Sequence, residues 1–193
     1  MTAEVVLYVG EALGKYGFPN GHPFGPDRQD AFWKETVKQG LDRQATRAEP
    51  RPASRAEIEC FHTADYLSRV EQLSALGHGM IDYGDTPAYP GVYDASSAVV
   101  GAALEGLERV MGGDCYRTFQ PIGGLHDSLA GDPLAHLKYS PAAHAHAARS
   151  LCQLANELAQ GRIMGFGGGG YDRANLALAW NAVLKEFITG SER

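Results

Sequence analysis

Three short apolar runs, at residues 5–9, 115–122 and 162–166, are separated by stretches with helical periodicity. That alternation restricts the chain to an α/β fold built on a parallel sheet. The first run, Val5-Val6-Leu7-Tyr8-Val9, has no polar break, as expected of a strand covered on both faces. With 193 residues, 44% of them hydrophobic, the chain has enough apolar surface for one core and is read as a single domain, 1–193.

Local signals place the connecting elements. Asp27 is positioned to cap a helix with Phe32, Trp33 and Val37 on its inner face. Residues 42–53 lack periodicity and have room for a short exposed strand. Ser54-Arg55-Ala56-Glu57 reads as a capping box. Beyond it Ile58, Phe61, Leu67, Val70 and Leu73 mark core contacts, interrupted near His62-Thr63. Asp94 opens a long helix through Met111 with Val99, Val100, Ala103, Leu104, Leu107 and Val110 as its stripe. Ser140-Pro141 starts another, with Ala147, Leu151, Leu154 and Leu158 as the expected buried face and Gly161 as its end. A last amphipathic helix runs from Arg173 to Ile188.

Charge and cysteine usage exclude some classes of function. A net charge of -6 and a pI near 5.6 argue against a nucleic-acid or anionic-membrane surface, because no basic stripe is present to displace counterions. Cys60, Cys115 and Cys152 are odd in number and widely spaced, which fits reduced thiols. Those thiols, the lack of a long apolar span and the absence of a basic start in Met1–Gly10 predict a cytoplasmic protein.

Candidate chemistry concentrates at two glycine-rich strand ends. Gly123-Gly124-Leu125-His126-Asp127 leads straight into an acidic loop, Ser128 to Asp132, so His126 and Asp127 are candidates for a metal or acid–base site. Gly165-Phe166-Gly167-Gly168-Gly169-Gly170 has the G-x-G-x-x-G spacing of a phosphate-binding turn. It lacks the following strand and the acid about 20 residues on that a dinucleotide site needs. A glycine run that admits a ligand, followed by Tyr171 as a donor to a developing oxyanion, is the other reading, and a Tyr packed on the last helix is the plain one. His144 and His146 lie two apart on one helix and diverge, so with His136 they form no cluster. His22 either lines a pocket floor or is satisfied within its loop, and Arg28 either binds an anion or pairs with Asp27 or Asp30.

Several motifs together resemble the histone deacetylase superfamily, most of all its bacterial acetoin-utilisation branch. They are Tyr16-Gly17-Phe18-Pro19, Gly21-His22-Pro23, Pro26-Asp27-Arg28, Phe61-His62-Thr63-Ala64-Asp65-Tyr66, Pro121 to His126, Asp127 to Pro133, and Gly167 to Tyr171. The resemblance implies a three-layer α/β/α sandwich of the arginase and deacetylase type and zinc-dependent hydrolysis of acetyl-lysine or small acetylated amines. By position, His126 resembles the first His of the tandem pair that assists the zinc-bound water. Asp127 resembles a zinc-binding Asp, Tyr171 the Tyr that polarises the acetyl carbonyl, and Gly169 and Gly170 the substrate-side glycines. In that family a long segment separates the His pair from the late Asp. It carries the second His, the Asp-x-His zinc ligands and the acyl tunnel, and it is missing here at about 126–127. Zinc binding and hydrolysis are therefore expected to be impaired. About half of the family's strands remain, in the order 2-1-3-8, and the last of them is left as a bare edge suited to pairing with another copy.

Overall fold

The computed structural model describes residues 3–19, 21–82, 84, 86–123 and 139–190. Its elements, in chain order, are β1 (Ala3–Tyr8), α1 (Glu11–Gly14), α2 (Arg28–Lys38), β2 (Thr46–Ala48), α3 (Arg55–Glu59), α4 (Ala64–Leu76), α5 (Val92–Gly112), β3 (Cys115–Gln120), α6 (Pro141–Leu158), β4 (Ile163–Phe166) and α7 (Arg173–Thr189). The sheet has the order β2-β1-β3-β4 and is parallel throughout. In one row of the register Thr46, Val6, Thr118 and Met164 lie side by side. This is a reduced α/β sandwich, as the alternation of apolar runs predicts.

Helices cover both faces. On one side α5 crosses β3 and β4 so closely that a Cβ on Gly106 would stand 3.2 Å from Met164 and from Thr118. On the other, α7 carries Trp180, Leu184 and Phe187 into the core, with α2 and α6 against it. Phe32 of α2 has no exposed surface and meets Trp180 edge-on at 6.0 Å and Phe119 at 5.9 Å. Burying each such side chain contributes about 1.5–3 kcal/mol. Arg117, buried in β3, donates to the carbonyls of Phe187 (2.7 Å) and Gly190 (2.8 Å) and to Asn156 Oδ1 (2.9 Å). A cation placed against the last carbonyls of α7 satisfies groups that the helix leaves open.

Several local readings hold. Ser54 accepts from the Glu57 amide while the Glu57 carboxylate accepts from the Ser54 amide, a complete capping box. The break at His62-Thr63 separates α3 from α4, with Thr63 capping the second. Ser140 caps α6 with Pro141 at its first position. Other readings need correction. The long helix begins at Val92 after Gly91, so Asp94 lies in its first turn instead of capping it. Val37 and Phe61 are exposed, the latter at 89%. Most consequentially, Leu151, Leu154 and Leu158 of α6 face outward and Ala148, Cys152 and Ala155 are buried in their place. The small residues let α6 approach its neighbours closely, and the leucines are left on an adjacent face.

Candidate functional site

The carboxyl ends of the parallel strands meet at a junction of glycines, the place where open α/β sheets gather ligands. Gly10, after β1, exchanges two hydrogen bonds with the Gln29 side chain, at 3.2 and 2.8 Å. After β4, the Gly167 amide donates to the Gln120 carbonyl at 2.7 Å. A Cβ on Gly167 would collide with the Pro121 carbonyl, and one on Gly123 would stand 2.8 Å from the Gly167 carbonyl. Glycine at 123 and 167 is therefore what allows the β3 and β4 exits to run so close together.

Beneath the glycine run lies Arg28, the first residue of α2, with no exposed surface. Its guanidinium donates to the carbonyls of Gly168, Gly169 (2.8 Å) and Gly170 (3.3 Å) and stands 3.9 Å over the Phe24 ring. These main-chain carbonyls are a different set of partners from the anion, Asp27 or Asp30 that its sequence neighbourhood suggested. Carbonyls converging on a buried cation are the inverse of the successive N–H groups that cradle phosphate. Asp27 instead accepts from Arg173 at 2.6 and 2.9 Å. That hydrogen bond, opposed by partial burial, holds the Asp27 carboxyl below its ordinary range.

Gly170 has φ +87, a conformation that favours glycine, and it turns the chain so that Tyr171 precedes the cap of α7, Asp172. Tyr171 is half-buried against the aromatic cluster of Phe18, Phe24 and Tyr89 and lines an open cleft of about 590 Å³ with His22, Pro23, Asp27 and Arg173. His22 Nδ1 accepts from the Phe24 amide at 3.0 Å, so this ring is satisfied within its own loop. Tyr89 donates to the Lys15 carbonyl at 2.9 Å, and burial pushes its hydroxyl up to about 12.

Of the residues singled out in the sequence, Gly169, Gly170 and Tyr171 occupy this junction. His126 and Asp127 lie outside the described residues. Among the described residues, no three His, Cys, Asp or Glu side chains converge. A catalytic zinc takes three protein ligands, so the described donor set does not fit that ion. What sequence reading missed is the set of carbonyls that Arg28 holds. Those carbonyls lie more than 100 residues away in the sequence. Among the described residues no helix is long and apolar enough to cross a membrane.

The family model for the histone deacetylase domain matches residues 22–127 and 126–187. Histone deacetylase RPD3 of Saccharomyces cerevisiae is 28% identical over 131 residues, covering 64% of this chain and 30% of that protein. Acetoin utilization protein AcuC of Bacillus subtilis is 28% identical over 139 residues, 68% of this chain and 35% of that one. Histone deacetylase 8 of Xenopus tropicalis is 33% identical over 94 residues, 45% and 26% of the respective chains. The chain thus spans about a third of the length of these curated relatives. The crystal structure of the HDA15 HD domain superposes with a TM-score of 0.85 at 13% identity, covering 98% of this chain and 89% of that one, a likeness of fold.

Proposed function

The chain belongs to the histone deacetylase domain family, and from that premise we propose that it is an internally shortened deacetylase domain, acting weakly or not at all on acetyl-lysine or small acetylated amines. The observation that carries this reading is the pair of family matches that meet at 126–127. They support the absence of the family's middle segment, which leaves His126 beside Asp127.

In this reading Tyr171, held at the start of α7 by the Arg28-clamped glycine run, donates to the acetyl carbonyl oxygen as the tetrahedral centre forms. Gly169 and Gly170 leave the backbone free to approach the acetyl group. His126 takes a proton from the attacking water and delivers it to the amine nitrogen as the C–N bond of the tetrahedral centre breaks. A zinc ion would bring that water to a pKa of about 7, but the described donors do not hold one, so no step passes through it. A lone His acting on ordinary water leaves hydrolysis slow.

Incubation of the purified chain with zinc and an acetyl-lysine peptide tests this reading. Turnover far below that of an intact relative is expected, and any that is present should fall further in Tyr171→Phe. Turnover comparable to an intact relative, lost in Tyr171→Phe, would contradict it.

A second reading is favoured by one specific observation, the outward leucines on α6, the helix that leads into the end strand β4. In it the chain is a non-catalytic half-domain that associates with a second copy through the sheet edge.

A further inference from the structure

The two edges of the sheet differ. β2 is three residues long, carries Arg47 with its ion pair to Glu49, and is followed by Pro50, features that discourage strand pairing. β4, Ile163-Met164-Gly165-Phe166, has no charge and no proline, and among the described residues it has no second neighbour.

The groups of β4 that are turned away from β3 can be identified. The Gly167 amide points to β3, where it donates to Gln120. Alternation along a strand then turns the main-chain groups of Gly165 toward β3 and those of Met164 and Phe166 toward the open edge. The Met164 side chain lies under α5, and that of Phe166, 50% exposed, shares its face. Gly165 points to the opposite face, where Phe119 and Phe187 leave no room for a Cβ.

We infer that a second copy pairs antiparallel with β4 about a two-fold axis at Gly165, making a closed dimer with one continuous eight-stranded sheet. This rests on the second reading above and adds its geometry. With Gly165 opposite its symmetry mate, Met164 of each copy faces Phe166 of the other and exchanges both main-chain hydrogen bonds with it. Each thioether then meets a phenyl ring across the strands. The glycines occupy the central non-hydrogen-bonded pair, where the two backbones come closest. The sequence of β4 is thus self-complementary about its own centre, which favours a second copy over an unrelated strand.

The same axis brings the α6 helices together. At about 100° per residue, Leu151, Leu154 and Leu158 lie on the flank of α6 opposite Arg149 and Asn156, which reach Glu186 and Gly190 of α7. The leucines, 53%, 49% and 77% exposed, therefore face away from α7, on the side of the open edge. A sandwich edge about 27 Å long, the length of α6, and three layers thick offers on the order of 800 Å², the area each partner contributes to a standard stable interface.

Analytical ultracentrifugation of the full chain over a concentration series, with hydrogen exchange read at Met164 and Phe166, tests this. A monomer–dimer equilibrium is expected, with both amides protected only in the dimer. Phe166→Pro removes an outward N–H without touching the β3 ladder, and Leu154→Lys with Leu158→Lys alters only exposed positions. Each change should weaken association by about tenfold or more while leaving the circular dichroism unchanged. A monomer at all concentrations would overturn both the inference and the reading beneath it. A dimer untouched by Phe166→Pro, or open-ended aggregates, would overturn the two-fold β4 pairing alone. Should Phe166→Pro fail to fold, the exchange of the two amides in the unaltered chain decides the question.

Discussion

Arg28 donates to the carbonyl of Gly169 at 2.8 Å across 141 positions of sequence. Through this contact α2 sets the shape of the glycine run and, with it, the place of Tyr171. Arg28→Met replaces the guanidinium by a chain of similar length and leaves three carbonyls without their donor. We expect a loss of about 3 kcal/mol in urea unfolding, since each buried acceptor so stranded costs about 1–3 kcal/mol and part of the loss relaxes. Hydrogen exchange should quicken first at 168–171.

Gly167 and Gly112 form a contrasting pair. A Cβ at Gly167 meets the Pro121 backbone, which cannot swing aside, whereas one at Gly112, at the end of α5, meets nothing within 4 Å. Gly167→Ala should lower stability by about 3 kcal/mol, and Gly112→Ala should raise it by about 0.5 kcal/mol. Thermal melts of the two variants check both signs together.

The capping box of α3 sets a pH dependence. Hydrogen bonds from Arg51 first, then from the Ser54 amide and hydroxyl, hold the Glu57 carboxyl at about 2, below its ordinary 4.5. A group whose folded value is depressed stabilises above its unfolded value and loses that contribution as pH falls through the folded one. The difference in melting temperature between the unaltered chain and Glu57→Gln should be full at about pH 6 and vanish toward pH 2.

The three thiols should react unequally. Cys60 is exposed, while Cys115 and Cys152 are buried and burial pushes both thiols up. Thiolate is the reactive form. An aromatic disulfide reagent should therefore label Cys60 alone in the native protein and all three cysteines after denaturation.

How much of this was legible in the sequence follows from the range of each interaction. Val5–Val9, the Ser54 box and the Ser140-Pro141 start are local patterns, and each marks its element in the structure. The sheet order β2-β1-β3-β4 matches the retained half expected from the family resemblance. Amphipathic spacing located α6 but could not say which of its faces is covered. Ala148, Cys152 and Ala155 are small enough to lie against the body of the fold, and no periodicity distinguishes that from a leucine face turned inward. The partners of Arg28 were opaque for a related reason, because its acceptors are main-chain carbonyls, which carry no side-chain signature. The position of Tyr171 ahead of α7 was legible because the glycine run and the Asp172 cap are contiguous with it.

Equilibrium dialysis of the chain against zinc, with the metal counted per polypeptide, tests most directly the claim that this domain kept the deacetylase scaffold without its ion site. The account predicts that no zinc survives dialysis against a weak chelator, with or without Asp127→Asn. One zinc retained per chain, and released by Asp127→Asn, would contradict it.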